Sequence, residues 1–167
     1  MIKIDNILVP TDFSEASDSA LAYARAFART FNARLHVLHV VDDAVMFAGI
    51  DGYSLDVASV LAGMIDDGEK QILTRLSEAD WREPKTITDV RAGGPAIEIV
   101  KYANETGVDL IIMGSHGRGF MSGLLMGRVA EKIVRTAPCP VLTVRSPERD
   151  FALRQMVHAT AHLARRR

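Results

Sequence analysis

The chain has 167 residues, with 20 Lys plus Arg against 21 Asp plus Glu and a formal charge of −1. At about 150 residues per domain, that length predicts one domain with room for one substantial core. The near-neutral balance excludes a polybasic nucleic-acid binder, and the 48% hydrophobic content excludes an acidic disordered chain. Cys139 is the single cysteine, so neither an intrachain disulfide framework nor a cysteine-based zinc site is expected. Met1 to Asn6 lack a basic region leading into an apolar signal core. No uncharged apolar run reaches the roughly 18 residues of a membrane span. The expectation is a cytoplasmic protein with neither a membrane nor a nucleic-acid partner.

Asn6-Ile7-Leu8-Val9-Pro10 is apolar without alternation, as in a strand buried on both faces of a parallel sheet. Pro10, with no N–H for a ladder, is expected to end it. Ser14 is placed to cap a helix running to about Phe31, with Glu15 and Asp18 near its positive start. Ala20, Ala24, Phe27, Ala28 and Phe31 recur at offsets of three and four and predict its inner face. Asn32 suits the left-handed end position. Leu35 to Val41 is rich in β-branched residues and predicts a second strand, closed by Asp42-Asp43. Residues 44–55 carry Gly49 and Gly52 without a period and predict a loop.

A long helix is expected from about Asp56 to Ala79, with Val60, Met64, Ile72 and Leu76 on its apolar stripe. Gly63 and Gly68 interrupt that pattern. Thr86 to Arg91 alternates and predicts a strand near an edge. Gly93-Gly94 turns the chain, and Pro95 opens a short helix outlined by Ile97, Val100, Ala103 and Asn104 that ends at Gly107. Val108 to Met113 is a fourth strand. Gly127 to Thr136 is a further helix, broken by Pro138 and Pro140, and Val141 to Val144 is a fifth strand. Strands alternating with helices point to an α/β fold with a parallel sheet and right-handed crossovers. Residues 1–145 are read as the domain. Residues 146–167 are read as a helical extension ending in three arginines.

The stretch from Gly114 to Gly127 joins a buried strand to a helix start. Ligands of open α/β sheets bind beyond the carboxyl ends of the strands, at the switch point in strand order. Glycines let backbone N–H groups approach a phosphate, and a helix start adds unpaired donors and a positive dipole end. The spacing is Gly-x2-Gly-x9-Gly through Gly114, Gly117 and Gly127. There is no Gly-x4-Gly-Lys-Ser/Thr, nor a Gly-x-Gly-x-x-Gly directly after the first strand.

Five blocks in this order resemble the universal stress protein family. They are Ile7-Leu8-Val9-Pro10-Thr11-Asp12-Phe13-Ser14, Leu38-His39-Val40-Val41-Asp42, the run Asp109 to Gly117, Gly127 to Val134, and Pro138-Cys139-Pro140-Val141-Leu142-Thr143-Val144. The resemblance implies an open five-stranded parallel sheet of order 3-2-1-4-5 with helices on both faces, a Rossmann-like nucleotide-binding fold. It implies a stress-response regulator that binds ATP or a related adenine nucleotide (AMP or ADP), with Mg2+ as an accompanying ion. It also implies a homodimer through the edge strand Val141–Val144. Pro10, Thr11, Asp12 and Val40 would line the adenosine part, and Met113 and Gly114 would flank the base and ribose. His116, Gly117 and Gly127 would surround the phosphates, and Arg118, Arg128 and Val129 are also expected at the site.

Arg128 departs from the family pattern, which carries Ser or Thr there. Its planar fork matches phosphate oxygens and its charge is permanent. Filling the phosphate site, or turning outward, would instead suit a nucleotide-free relative acting through dimer or partner contacts. No tuned general base and no paired carboxylates stand out, so an enzyme is not expected, or at most slow ATP hydrolysis. His36 and His39 fall on opposite faces of one strand, and His158 with His162 lack a third ligand, so no metal site is expected. Cys139 reads as a small buried residue.

Overall fold

The computed structural model describes residues 2–43, 56–82, 85–117 and 126–145. The predicted loop 44–55, the extension 146–167 with His158 and His162, and Arg118 lie outside the described residues. Five parallel strands form one sheet in the order β3-β2-β1-β4-β5. They are β1 (Asn6–Thr11), β2 (Arg34–Val41), β3 (Thr86–Ala92), β4 (Leu110–Gly114) and β5 (Val141–Val144). The described helices are α1 (Glu15–Phe31), α2 (Val57–Arg75), α3 (Glu78–Arg82), α4 (Pro95–Thr106) and α5 (Arg128–Thr136).

Alternation along β1 explains its continuous apolar run. Ile7 and Val9 join a core with Leu21, Ala24 and Ala28 of α1 and Ile72 of α2. Leu8 faces the other way, into a core with Ile99, Tyr102 and Ala103 of α4 and Ala130 and Ile133 of α5. Both faces are covered, so no position in the strand is left for a polar residue facing water. The edge strand β3 is half-buried along most of its length, as its alternation predicts.

Local signals set the ends of α1. The Ser14 hydroxyl accepts from the Ser17 N–H, and Asn32 takes the left-handed conformation at φ 53°. Gly107 closes α4 in the same way at φ 62°.

Four expectations are corrected. Pro10 lies inside β1 rather than ending it, paired with Leu38. It is tolerated because pairing to β4 stops at Leu8 with Ile111, so the proline sits where that ladder has already opened. Phe31 is not on the inner face of α1 and is 41% exposed, while Ala16, Ser17 and Leu21 are buried. The inner face of α4 is Ala96, Ile99, Tyr102 and Ala103, leaving Ile97 59% exposed.

The fourth correction concerns the expected helix from Asp56 to Ala79, which breaks at Leu76, where the backbone is extended. Ser77 starts α3 instead, because the Asp80 carboxylate accepts from both the N–H and the hydroxyl of Ser77. Gly63 and Gly68 stay inside α2, and Gly68 is a contact point: a Cβ there would lie 2.9 Å from the His39 ring. Val60 and Met64, expected on the buried stripe, are exposed.

Candidate functional site

At the carboxyl end of the sheet β1 has β2 on one side and β4 on the other, which makes this the switch point. The registered pairs of β1 with β4 are only Ile7–Leu110 and Leu8–Ile111. The two strands then part, and a cavity of about 280 Å³ opens beyond them. Its floor is the end of β1, Pro10 to Asp12, with Met113 and Gly114 of β4. Leu38 and Val40 of β2 and Pro95 and Ile99 of α4 make an apolar wall. His116, Gly117 and the start of α5 from Gly127 to Ala130 close the other side.

A strained turn aims Asp12 at this cavity. Phe13 has φ 64°, a left-handed conformation that is costly for a bulky residue, about 1–3 kcal/mol. It is held there on several sides. Its N–H donates to the Thr11 hydroxyl, its ring lies 4.3 Å from that of His39, and the Arg75 guanidinium sits 4.7 Å above it. Asp12 Oδ1 accepts from the N–H and the hydroxyl of Ser14, so the carboxylate also helps to start α1.

The three glycines of the loop do different work. A Cβ on Gly114 would lie 2.9 Å from the backbone carbon and the Cβ of Ala16, so this glycine lets α1 close onto β4. A Cβ on Gly117 would lie 2.6 Å from Asp12 Oδ2. Gly127 has ordinary angles, φ −64° and ψ 149°, and the nearest atoms to an added Cβ would be 3.5 Å away. Among the described residues, packing against backbone requires Gly114, Gly117 is crowded only by the movable carboxylate of Asp12, and Gly127 meets ordinary contacts.

Ser115 ties the loop together. Its N–H donates to the Val144 carbonyl at 2.7 Å, its carbonyl accepts from the Gly127 N–H at 2.9 Å, and its hydroxyl is 2.8 Å from His116 Nδ1. The edge strand β5 and the start of α5 thus meet on one residue. Arg128 is the first residue of α5, exposed and lining the cavity.

All the residues singled out from the sequence line this one cavity, apart from Arg118 outside the described residues. Ser17, Leu38, Pro95, Ile99 and Ala130 line it too and were missed. Leu38 had a visible signal, standing two residues before Val40 on the same face of β2. The others are reached only through the packing of helices on the sheet.

His36 and His39 do point apart. His36 Nδ1 is 2.9 Å from the Tyr102 hydroxyl under α4, and His39 Nδ1 is 2.8 Å from the Thr11 carbonyl on the other face. Among the described residues no group of three His, Cys, Asp or Glu side chains could hold a metal. Cys139 is half-buried, and burial pushes its thiol above the usual value, away from reactivity.

The model of the universal stress protein family matches residues 3–145. The chain belongs to the universal stress protein family. A relative from Methanocaldococcus jannaschii, universal stress protein MJ0531, is 33% identical over 145 residues, 86% of this chain and 84% of the relative. A second from the same organism, MJ0577, is 32% identical over 83% of this chain and 93% of its own length. The solved structure of MJ0577 superimposes with a TM-score of 0.76 at 28% identity, over 88% of this chain and 99% of that one. At the level of fold alone, a universal stress protein from Archaeoglobus fulgidus solved in complex with dAMP matches at 20% identity. Its TM-score is 0.52, over 86% of this chain and 99% of that one. The five-stranded order agrees with the fold expected from the family's sequence blocks. No helix among the described residues is long and apolar enough to cross a membrane.

Proposed function

We propose that this universal stress protein binds ATP or a related adenine nucleotide in the switch-point cavity and acts as a dimeric stress-response regulator. The observation that carries this reading is Gly127. Nothing in the packing of the described residues demands a glycine there, yet it stands where the cavity meets a helix start, whose first N–H groups have no partner within the helix. A missing side chain that the protein does not need is explained by a ligand that comes close. The apolar wall of Leu38, Val40, Pro95 and Ile99 suits a base, and Asp12 suits the hydroxyls of a ribose.

The dimer is proposed through β5. It is an edge strand, and Val141-Leu142-Thr143-Val144 carries no charge to block pairing. Two such edges pair antiparallel across a twofold axis. Because Ser115 links Val144 to Gly127, occupancy of the cavity would be felt at that edge.

Mass spectrometry of ligand released from heat-denatured protein, with calorimetric titration of ATP and AMP, tests the binding. Co-purified or micromolar adenine nucleotide is the expected result. No ligand and no heat would overturn it and leave a nucleotide-free interaction module. Light scattering on the wild type and on Thr143→Lys tests the dimer. A wild-type dimer that becomes monomeric in the variant is expected, and a wild-type monomer at all concentrations sinks that part.

A further inference from the structure

We infer that Arg128 serves as the counter-cation of this cavity, which therefore takes a nucleoside di- or triphosphate as the metal-free anion; this rests on the nucleotide reading above. The donor set is the first argument. Asp12 is the one carboxylate among the described residues lining the cavity, and its Oδ1 is committed to Ser14. Mg2+ is ordinarily held by one or two carboxylates together with substrate phosphates, in near-ideal octahedral geometry. With this one carboxylate already engaged by Ser14, the described lining sits at the bottom of that range and offers a cation no second protein ligand of this kind.

The second argument is the placement of the guanidinium. Arg128 is the first residue of α5, where the helix already presents its positive end. A cation there is unfavourable until an anion arrives. The acidic residue best placed to neutralise it, Glu131 in the same turn, is 3.0 Å from Arg135 instead. Among the described residues Arg128 makes no ion pair. Arg128, the N–H groups at the helix start and Gly127 all belong to the same side of the cavity. Asp12 is its only acidic lining residue among those described and belongs to the β1 end, so it directs a polyphosphate toward Arg128. A guanidinium that binds phosphate bidentately supplies the charge that a metal ion would otherwise bring.

Calorimetric titration of ATP, AMP and adenosine, in EDTA and in excess Mg2+, tests the inference on the wild type, Arg128→Ala and Arg128→Lys. ATP should bind the wild type in EDTA at least as tightly as in Mg2+. Arg128→Ala should weaken ATP in EDTA by about tenfold or more, the scale of a lost charge-assisted pair, while adenosine stays within about twofold. Arg128→Lys should recover part of the ATP affinity. Unchanged adenosine binding in Arg128→Ala shows that the cavity is still formed. ATP that binds only with Mg2+, or Arg128→Ala that leaves ATP unchanged or weakens adenosine equally, overturns the inference and leaves the nucleotide reading standing. Failure of all three compounds to bind the wild type overturns the nucleotide reading itself.

Discussion

Two places in the molecule each hold one aspartate and one arginine, and they are built in opposite ways. Asp80, with a side chain 1% exposed, takes the fork of Arg25 through Nε at 2.9 Å and Nη2 at 3.0 Å. It also accepts from the N–H and hydroxyl of Ser77, while Thr86 donates to its backbone carbonyl. Burial alone would raise its carboxyl. The Ser77 N–H and Arg25 outweigh that and hold it below the usual carboxylate range. At the carboxyl end of the sheet, Asp12 and Arg128 line a cavity, and Arg128 has no ion pair among the described residues. A saturated pair fixes structure, because its charges have nothing left to give. An arginine at a positive helix end with no ion pair among the described residues is the one we infer to be kept for a ligand.

The largest expected effect breaks the closed pair. Asp80→Ala strands Arg25 and the Ser77 N–H and removes the start of α3. It should cost about 3–5 kcal/mol by urea denaturation, the range for removing one partner of a buried pair. Saturating ATP binding should survive at a temperature where the variant is folded. A loss under about 1 kcal/mol would mean that the pair is not structural.

The glycines sharpen the contrast within the loop. Gly114→Ala forces α1 away from β4, because the Ala16 backbone cannot yield cheaply, and should cost about 1–3 kcal/mol of stability. Gly127→Ala meets only ordinary contacts and should leave the thermal midpoint of the ligand-free protein nearly unchanged. Its effect should appear in nucleotide titration as several-fold weaker binding. Equal stability losses in the two variants would erase the distinction between a packing glycine and a ligand glycine.

The strained turn falls in a similar range once its relaxation is allowed for. Phe13→Ala keeps the positive φ while removing the ring contacts with His39 and Arg75, and it should destabilise the protein by about 2–4 kcal/mol, less what the turn recovers on relaxing. Denaturant midpoints check the loss. Nucleotide affinity should fall as well, because the turn aims Asp12.

Four strands were legible as short apolar runs with punctuation and the edge strand β3 by its alternation, and the caps at Ser14, Asn32 and Gly107 have local causes. The strand-loop-helix pattern by itself pointed to Gly114, Gly117 and Gly127, and the other cavity residues were named together because the universal stress protein blocks carry them. The inner face of α4 was not legible, because Ile97, Ile99, Val100, Tyr102 and Ala103 make the helix apolar on several sides, and only its contact with the sheet selects Ile99. The α2 stripe failed for a different reason. A search for large side chains passes over Gly68, whose value is that His39 and Val90 fit against it. Gly114 carried the right motif with an incomplete reason, since the atoms that require it belong to Ala16, far away in sequence.

The smallest expected effect concerns a group that neither Asp–Arg site uses. His36 is buried beneath α4 between Tyr102 and Asn6. Burial, helped by the charge of Arg34, lowers its value below the ordinary 6.5. The unfolded chain therefore takes up a proton near pH 6.5 that the folded chain refuses. Above that pH both states hold neutral imidazole and His36 contributes no slope. As pH falls from 6.5 toward the lowered folded value, the unfolded state binds more protons and stability is lost. One proton limits the slope to about 1.4 kcal/mol per pH unit. His36→Gln should flatten the difference in urea midpoint between pH 7.5 and pH 5.5 relative to the wild type. It should do so without moving nucleotide affinity, because His36 is absent from the cavity lining. An unchanged pH slope would place the acid sensitivity in the carboxylates instead.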